Sequence, residues 1–294
     1  MFDYIAPVFR PPSEWKSLIL QVTNGCSYNR CRFCDMYTAE QKRFRAFKED
    51  KIEAELAKAA ASGVPIRRVF LADGDAMTLP FARLEAILLL IKQYLPDVSR
   101  VSSYCLPRNL ANKSVPQLAR LRELGLSLMY VGCESGDDEV LARVAKGETF
   151  ASSLEALEKI RAAGMKSSVM ILNGLGGKAL SQQHALNSAR LMNAAQPDYL
   201  STLVVTLPLG KARMDEGFDG GFELPSQAEL FTEMHTLLAN LELEQTVFRS
   251  DHVSNYLVLK GILGRDKDAL LRQVQLAMQA PAEANLRQEW QRGL

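Results

Sequence analysis

The sequence predicts an α/β fold, an incomplete (β/α)6 barrel of the TIM type with a helical C-terminal extension. Six short apolar segments alternate with helix-length segments between residues 15 and 210, and most of the apolar segments end in glycine, proline or polar residues. Repeated strand–helix units favour parallel strands with right-handed crossovers, and therefore a curled sheet or partial barrel. A doubly wound open sheet is the alternative, but its glycine fingerprint would follow the first strand, where this chain has cysteines.

The predicted elements follow one another along the chain. Residues 1–14 contain three prolines and are predicted to form an extended arm. Short apolar runs predict the strands, because buried parallel strands are apolar along their length. The predicted strands are Lys16–Thr23, Arg67–Leu71, Ser99–Tyr104, Ser127–Cys133, Ser167–Leu172 and Tyr199–Thr206. The predicted helices among them are Lys48–Ala61, Pro80–Tyr94, Val115–Leu124, Asp137–Ala145, Ser152–Ala163 and Ser181–Ala194.

The character of the sequence changes after Gly210. Residues 211–225 contain three glycines and predict a loop that could cover a substrate. Helices are predicted over Ser226–Leu241 and Asp266–Gln279. The predicted organisation is an N-terminal arm (1–14), a partial barrel (15–210) and a C-terminal extension packed on the barrel (211–294).

Composition limits the classes of function. With 294 residues, 47% of them hydrophobic, the chain can bury a large core. The net charge of +1 offers no general field for a polyanion, so nucleic acid is not an expected partner, and the basic stretch Lys42–Arg45 is interpreted as a solvated surface. No apolar run is long enough to span a bilayer, and the first ten residues do not resemble a signal peptide. We therefore expect a cytoplasmic protein with no membrane partner.

Three of the five cysteines lie within nine residues, directly after the first predicted strand. Cys26, Cys31 and Cys34 are close enough to ligate a metal ion together, or to ligate an iron–sulfur cluster and leave one position open. A closed zinc site needs a fourth ligand, and Cys105 and Cys133 lie far downstream, while the three histidines form no pair at ligand spacing. A zinc-stabilised binding module remains the alternative.

The cysteine spacing, with Phe33 directly before Cys34, resembles the cluster-binding loop of the radical S-adenosylmethionine (SAM) superfamily. The usual loop has three residues between its first two cysteines, and this chain has four. The resemblance implies that Cys26, Cys31 and Cys34 bind three irons of a [4Fe-4S] cluster. It also implies that the amino and carboxylate groups of SAM chelate the fourth iron, and that Phe33 packs against the adenine.

Acidic residues follow the second and fourth predicted strands. Asp73, Gly74 and Asp75 stand where this family carries a Gly-Gly-Glu-like turn, which implies contact with the SAM ammonium group. Glu134, followed by serine and glycine, is similar to a motif of the branch that contains oxygen-independent coproporphyrinogen oxidase and the methylthiotransferases, in which a polar residue binds the ribose hydroxyls. The alternatives are a turn-forming Asp-Gly pair and an acid favoured at a helix N-terminus.

Other residues at strand ends are weaker candidates. By the same resemblance, Tyr104 falls near a second ribose contact, and Lys146 near a basic residue that pairs with the methionine carboxylate. The alternative for Lys146 is an exposed lysine. The glycine-rich turn at 174–177 permits close approach of a ligand, and His252 and Asn255 could reach the substrate.

The resemblance implies an enzyme that reductively cleaves SAM to methionine and a 5′-deoxyadenosyl radical for hydrogen abstraction. It implies a small-molecule substrate and an external electron donor such as flavodoxin or ferredoxin. Two other classes remain open: an iron–sulfur protein for electron transfer or regulation that does not cleave SAM, and the zinc-stabilised module. The sequence does not identify the substrate.

Overall fold

The computed structural model describes residues 2–293 and shows a mixed α/β fold, with a mostly parallel sheet of eight strands and a second sheet of two short strands. The chain forms two compact units. The first unit comprises the chain up to Asn29, Met36–Val131 and Glu158–Ser167, and the second unit comprises Arg30–Asp35, Gly132–Leu157 and the chain from Ser168 onwards.

The predicted strands and helices are present, most of them within a few residues of their expected bounds. The strands are β1 (Leu18–Gln21), β2 (Thr23–Asn24), β3 (Arg45–Ala46), β4 (Arg68–Ala72), β5 (Arg100–Cys105), β6 (Leu126–Glu134), β7 (Lys166–Asn173), β8 (Tyr199–Val204), β9 (Val247–Ser250) and β10 (Leu259–Ile262). The helices are α1 (Glu49–Ala61), α2 (Phe81–Tyr94), α3 (Val115–Glu123), α4 (Asp138–Arg143), α5 (Phe150–Ala162), α6 (Gly177–Ala195), α7 (Ala212–Gly217), α8 (Gln227–Asn240) and α9 (Leu263–Gln279). The first predicted strand is divided into β1 and β2, which belong to different sheets.

In the first unit, β1, β4, β5 and β6 are neighbours in this order and run parallel. Val69, Phe70 and Leu71 of β4 are fully buried, as expected for a central parallel strand that is covered on both faces. Helix α1 packs against α2 and β1. Because the strands are parallel, their carboxyl ends, which carry the candidate residues of this unit, lie at one edge of the sheet.

The short sheet anchors the start of the cysteine loop. Strand β2 leads into the loop and pairs antiparallel with β3, with Asn24 opposite Arg45. The side-chain amide of Asn24 also donates hydrogen bonds to the carbonyl oxygens of Gln41 (2.7 Å) and Arg43 (2.9 Å). The basic stretch predicted to be a solvated surface therefore packs through its backbone on the strand before Cys26.

In the second unit, β7, β8 and β9 are parallel neighbours, and β10 is antiparallel to β9. Helix α6 packs against α8, and α8 packs against α9. Strands β9 and β10 lie in the segment for which the sequence predicted only helices and loops. Each has four residues, which is too short for an alternating pattern to distinguish a strand from a loop.

Two helices begin at capping boxes. Ser114 caps α3 together with Gln117, and Ser226 caps α8 together with Glu229, each pair exchanging side-chain and backbone hydrogen bonds. Helix α6 begins at Gly177, four residues before its predicted start at Ser181, because the glycine-rich turn runs directly into the helix.

Glu14, in the N-terminal arm, forms a buried polar cluster with the first unit's strands. Its carboxylate accepts hydrogen bonds from Ser17, from the Tyr130 hydroxyl (2.6 Å) and from the Arg100 guanidinium (2.7 Å). Burial alone would raise the pKa of Glu14, but these hydrogen bonds and the Arg100 charge outweigh burial and hold the pKa below its ordinary value. The charged form of Glu14 therefore stabilises the fold.

Replacing Glu14 with glutamine is expected to lower the free energy of unfolding at pH 7 by about 2 kcal/mol, since hydrogen bonds to a buried charged group are lost. Because the folded-state pKa is depressed, this stabilisation is present above the ordinary glutamate pKa of about 4.3 and is lost as the pH falls through the folded-state pKa. Urea unfolding of both proteins between neutral and acid pH should show their difference shrinking at low pH. The exposed Glu123→Gln variant should differ little from wild type at any pH, and a Glu14→Gln difference that grows on acidification would contradict this account.

Candidate functional site

The residues predicted to contact cofactors fall into two groups, one in each unit. The first unit holds Cys26, Asp73, Gly74, Asp75 and Tyr104, and the second unit holds Cys31, Phe33, Cys34, Glu134 and Lys146.

The backbone before Cys26 requires glycine. Gly25 has φ +70°, in the left-handed region, and a Cβ at this position would overlap the carbonyl oxygen of Lys42. This close approach lets the loop leave β2 sharply. The side chain of Cys26 is partly exposed, as a ligand of a bound group must be.

Asp73 is held in a buried ion pair. Its carboxylate accepts hydrogen bonds from the Lys42 ammonium and from the side-chain amide of Gln21 (3.2 Å), and the side chains of Asp73 and Lys42 are both fully buried. The interpretation of the basic stretch as a solvated surface is therefore wrong for Lys42, whose charge has a partner inside the protein. The negative charge of Asp73 is already balanced before any ligand binds.

Asp75 is the second acidic residue of this turn. Its Oδ2 accepts a hydrogen bond from the Ser27 hydroxyl, next to Cys26 in the loop, while its Oδ1 is buried without a hydrogen-bond partner among the described residues. Burial raises the pKa of Asp75, and hydrogen bonds from Ser27 and Asn109 with the more distant charge of Arg108 offset this only in part. A cation bound at Oδ1 would compensate this buried charge.

Gly74 and Tyr104 complete the first unit's group. A Cβ at Gly74 would overlap the ring of Tyr37, so only glycine fits between the two aspartates. The Tyr104 ring packs edge-on against Phe70, with 5.1 Å between ring centroids. Burial raises the pKa of Tyr104, with smaller contributions from neighbouring negative charges that include Asp73. Tyr104 therefore stays a neutral hydroxyl group near the Asp73 turn.

Arg213 fixes the part of the cysteine loop that belongs to the second unit. Its guanidinium donates hydrogen bonds to the carbonyl oxygens of Cys31 and Cys34 (3.0 Å for Cys34) and to Oδ1 of Asp35 (2.7 Å). The backbone N–H of Arg32 donates to the carbonyl oxygen of Val144 at the end of α4 (2.9 Å). Because the loop's backbone is held in this way, its partly exposed thiols are presented by a fixed scaffold. The sequence gave no signal for Arg213, which lies far along the chain.

Glu134 and Lys146 form a buried ion pair with 3.0 Å between Nζ and Oε1, and their side chains are only 6% and 3% exposed. Burial alone would lower the pKa of Lys146, but the charge of Glu134, with a further contribution from Cys31, raises it above its ordinary value. Phe33 lies in the same group, with the Lys146 ammonium 5.9 Å from its ring centroid. The alternative of an exposed lysine is therefore wrong.

One oxygen of Glu134 is available for a further contact. Oε2 is buried without a hydrogen-bond partner among residues 2–293. Glu134 has φ +65°, and a Cβ at Gly132 would overlap its Oε1, so the local backbone is shaped around this carboxylate. A hydroxyl or other donor of a ligand could satisfy Oε2.

A histidine network that the sequence did not reveal holds the residues after Glu134. Nδ1 of His184 lies 2.7 Å from the Ser135 hydroxyl, and Nε2 lies 3.0 Å from the carbonyl oxygen of Leu172. The Ser135 hydroxyl also accepts a hydrogen bond from the backbone N–H of Asp137. A Cβ at Gly136 would overlap the backbone of α6. The Glu-Ser-Gly sequence is thus fixed by contacts with α6.

The remaining candidates contact their own unit. The N–H of Gly174 donates to Oε1 of Glu233 (2.6 Å), so the glycine-rich turn approaches protein atoms. The side-chain amide of Asn255 donates to the carbonyl oxygen of Thr202 (2.8 Å), and Nδ1 of His252 lies 2.9 Å from the Ser254 hydroxyl. These contacts account for the turn and for His252 without a substrate, whereas Oδ1 of Asn255 is buried without a hydrogen-bond partner among residues 2–293. The predicted contact of these residues with a substrate stays a prediction.

The sulfur donors suit an iron–sulfur cluster. Cys26, Cys31 and Cys34 are partly exposed, whereas Cys105 and Cys133 are buried, and burial raises the pKa of Cys133 to about 12. Within the part of the chain that the structure describes, no three or more His, Cys, Asp or Glu side chains are already assembled to hold a metal ion. The assignment of the three cysteines as iron ligands therefore stays a prediction, supported by their thiolate chemistry and accessibility.

A sequence model described as the Radical SAM superfamily matches residues 20–189, which is more than half of the chain. The chain belongs to the radical SAM superfamily. The matched segment contains every residue that was predicted to contact a cofactor, and it does not include residues 211–294.

Individual relatives are distant. The heme chaperone HemW of Bacillus subtilis (strain 168) is 21% identical over 231 residues, which cover 77% of this chain and 60% of HemW. The radical SAM enzyme coproporphyrinogen III oxidase (HemN) from Escherichia coli has a TM-score of 0.56 at 18% identity, covering 76% of this chain and 52% of that one. The radical SAM methyltransferase TsrM from Kitasatospora setae, solved with cobalamin and a [4Fe-4S] cluster, has a TM-score of 0.51 at 20% identity, covering 64% and 36%. The chain therefore spans only part of the length of these proteins.

The match to the superfamily model confirms the predicted family, and the likeness to these structures confirms the predicted fold, an incomplete barrel. The predicted cofactors are confirmed at the level of the superfamily, whose member TsrM was solved with a [4Fe-4S] cluster and also with a SAM analogue. Separately, no helix within residues 2–293 combines the length and apolar character needed to cross a membrane.

Proposed function

We propose that the chain is a radical SAM enzyme that holds a [4Fe-4S] cluster through Cys26, Cys31 and Cys34, binds SAM at that cluster and acts on a small-molecule substrate. When bound and reduced, the cluster supplies the electron that cleaves SAM to methionine and a 5′-deoxyadenosyl radical, which abstracts a hydrogen atom. The observation that carries the proposal is the three-cysteine loop inside the segment that matches the superfamily.

Asp75 is the proposed partner of the SAM ammonium group. Asp73 and Asp75 each keep one buried oxygen without a hydrogen-bond partner among residues 2–293, but the charge of Asp73 is already balanced by Lys42. An ammonium group at Oδ1 of Asp75 would satisfy both its hydrogen-bonding capacity and its charge. Gly74 keeps the turn narrow enough to present Asp75.

The second unit's group offers the other proposed contacts. Phe33 provides an apolar ring for the adenine, and Glu134 provides an acceptor for a ribose hydroxyl through Oε2. Lys146 is proposed to bind the methionine carboxylate while it keeps its ion pair with Glu134, since an ammonium group has three donors. Tyr104, in the first unit, is proposed as a further ribose contact.

The proposed function also requires an electron donor. An external one-electron donor such as flavodoxin or ferredoxin must reduce the cluster, because the chain has only two cysteines beyond the loop and both are buried. We also propose that the protein is cytoplasmic and that it does not act on nucleic acid, given its net charge of +1.

The test is product formation by anaerobically prepared protein. Iron, sulfide and zinc are measured per chain, and 5′-deoxyadenosine is then quantified after incubation with SAM and dithionite. About four irons per chain and 5′-deoxyadenosine formation are expected. Zinc in place of iron would indicate the zinc-stabilised module, and iron without 5′-deoxyadenosine would indicate an electron-transfer or regulatory protein; either result would overturn the proposal.

A further inference from the structure

The basic stretch Lys42–Arg45 lies directly beside the start of the cysteine loop. Arg45 of β3 is the register partner of Asn24 in β2, and a single residue, Gly25, separates Asn24 from Cys26. A Cβ at Gly25 would overlap the backbone of Lys42, so no side chain intervenes between this stretch and the loop. The stretch therefore forms the protein surface next to the first candidate iron ligand.

The outer side of this stretch is positive and carries an aromatic side chain. Arg43, Arg45 and Lys48 are exposed, and Phe44 is 39% exposed between the two arginines. There is no acidic residue from Lys42 to Lys48, and Arg43, Arg45 and Lys48 have no ion-pair partner among the described residues. Of the basic residues in the stretch, Lys42 alone is neutralised, by Asp73, and it is buried.

Such a surface differs from a merely solvated one. Exposed aromatic residues flanked by arginine are typical of protein interfaces. The position matters as well, because a protein that donates electrons to a centre at the cysteine loop must approach that loop closely. The stretch Lys42–Arg45 lies beside the start of that loop, through the pairing of Arg45 with Asn24.

We propose that Arg43, Phe44 and Arg45 form the docking surface for a small acidic electron-carrier protein with a one-electron flavin. The inference rests on the proposed function, since it requires a redox centre at the cysteine loop. The carrier's reduced flavin loses one electron and that centre gains it, with no bond formed or broken in the carrier. Charge attraction brings the carrier to the surface, and Phe44 provides the apolar contact at its middle.

The experiment compares two double variants. Arg43→Glu with Arg45→Glu reverses the charge of the surface. Lys166→Glu with Arg272→Glu makes the same change in net charge at exposed positions elsewhere. An oxidised flavodoxin is titrated calorimetrically into each anaerobically prepared, cluster-loaded protein at low and at moderate salt, and 5′-deoxyadenosine formation is measured with dithionite and, separately, with enzymatically reduced flavodoxin.

The Arg43→Glu, Arg45→Glu protein is expected to bind flavodoxin at least about tenfold more weakly and to lose product formation with flavodoxin by a similar factor. Its product formation with dithionite should stay within about twofold of wild type, because a small reductant needs no docking surface. The Lys166→Glu, Arg272→Glu protein should behave as wild type, and flavodoxin binding by wild type should weaken with added salt.

Unchanged flavodoxin binding by the Arg43→Glu, Arg45→Glu protein would overturn the docking proposal. Equal loss of product with both reductants would also overturn it, because the stretch would then support only the loop. Salt-dependent binding of a single-stranded oligonucleotide, with no binding of flavodoxin, would identify a polyanion surface instead. Failure of the proposed function can be distinguished from failure of the docking proposal. If the proposed function is wrong, the wild-type protein forms no 5′-deoxyadenosine with either reductant, whatever the binding data show.

Discussion

The Cys31→Ala protein is expected to form no measurable 5′-deoxyadenosine, less than about 1% of the wild-type amount. Replacing a residue that only hydrogen-bonds to a metal ligand typically costs 10- to 100-fold in metal affinity or activity. The Cys31→Ala substitution removes a proposed ligand itself. The measurement is 5′-deoxyadenosine after reduction with SAM, alongside iron per chain.

Cys105→Ala is the matched control. Cys105 is buried at the end of β5, and its loss should cost about 1 kcal/mol of stability without affecting iron content or product. If Cys31→Ala retained iron and product while Cys105→Ala lost them, the cysteine loop would not be the cluster site.

Most of the fold could be predicted because its signals are local. The apolar runs of β4, β6 and β7 are long enough to be recognised without knowledge of their neighbours, and glycine or proline marks many of their ends. Strand β9 escaped prediction because it pairs with β8, which brings together residues about 50 positions apart, and β10 depends on β9 for its own pairing.

In the candidate site, too, the local motif could be predicted from the sequence and the long-range contacts could not. The cysteine loop is a motif within one short segment, so the sequence alone suffices to recognise it. The burial of Lys42 and Lys146 could not be predicted, because a lysine is buried only where a carboxylate compensates it, and Asp73 stands 31 residues from Lys42. The contact between Ser135 and His184 likewise joins the end of β6 to α6, 49 residues further along the chain.

The two buried ion pairs place positive charge next to candidate ligands, and each leaves one buried carboxylate oxygen without a hydrogen-bond partner among residues 2–293, but their surroundings differ. In the Lys42–Asp73 pair both side chains are fully buried, and it is the backbone carbonyl of Lys42 that lies against Gly25. In the Glu134–Lys146 pair the cation lies beside Cys31 and Phe33, and an oxygen of Glu134 remains available. The second pair is therefore the better place to measure how strongly the site depends on charge balance.

Lys146→Met is expected to destabilise the protein by about 3–5 kcal/mol, the usual cost of removing one partner from a buried ion pair. The Glu134 side chain is only 6% exposed, so without Lys146 its charge would be stranded away from water. Urea unfolding of anaerobically prepared protein at pH 7 gives the change in the free energy of unfolding. Lys178→Met is the matched control: this lysine is 45% exposed, pairs with Glu223 at 3.3 Å and should contribute less than about 1 kcal/mol.

The double variant Glu134→Gln, Lys146→Met separates the cost of a stranded charge from the loss of packing. Replacing both members of a buried pair with neutral side chains of similar volume is often nearly neutral, because the desolvation penalty disappears together with the attraction. Most of the stability lost in Lys146→Met should therefore return in the double variant. If the double variant were as unstable as Lys146→Met, packing of the lysine chain would explain the loss. If Lys146→Met itself were within about 1 kcal/mol of wild type, the Glu134 charge would have another partner, and the account of this site as a charge-balanced pair beside Cys31 would be wrong.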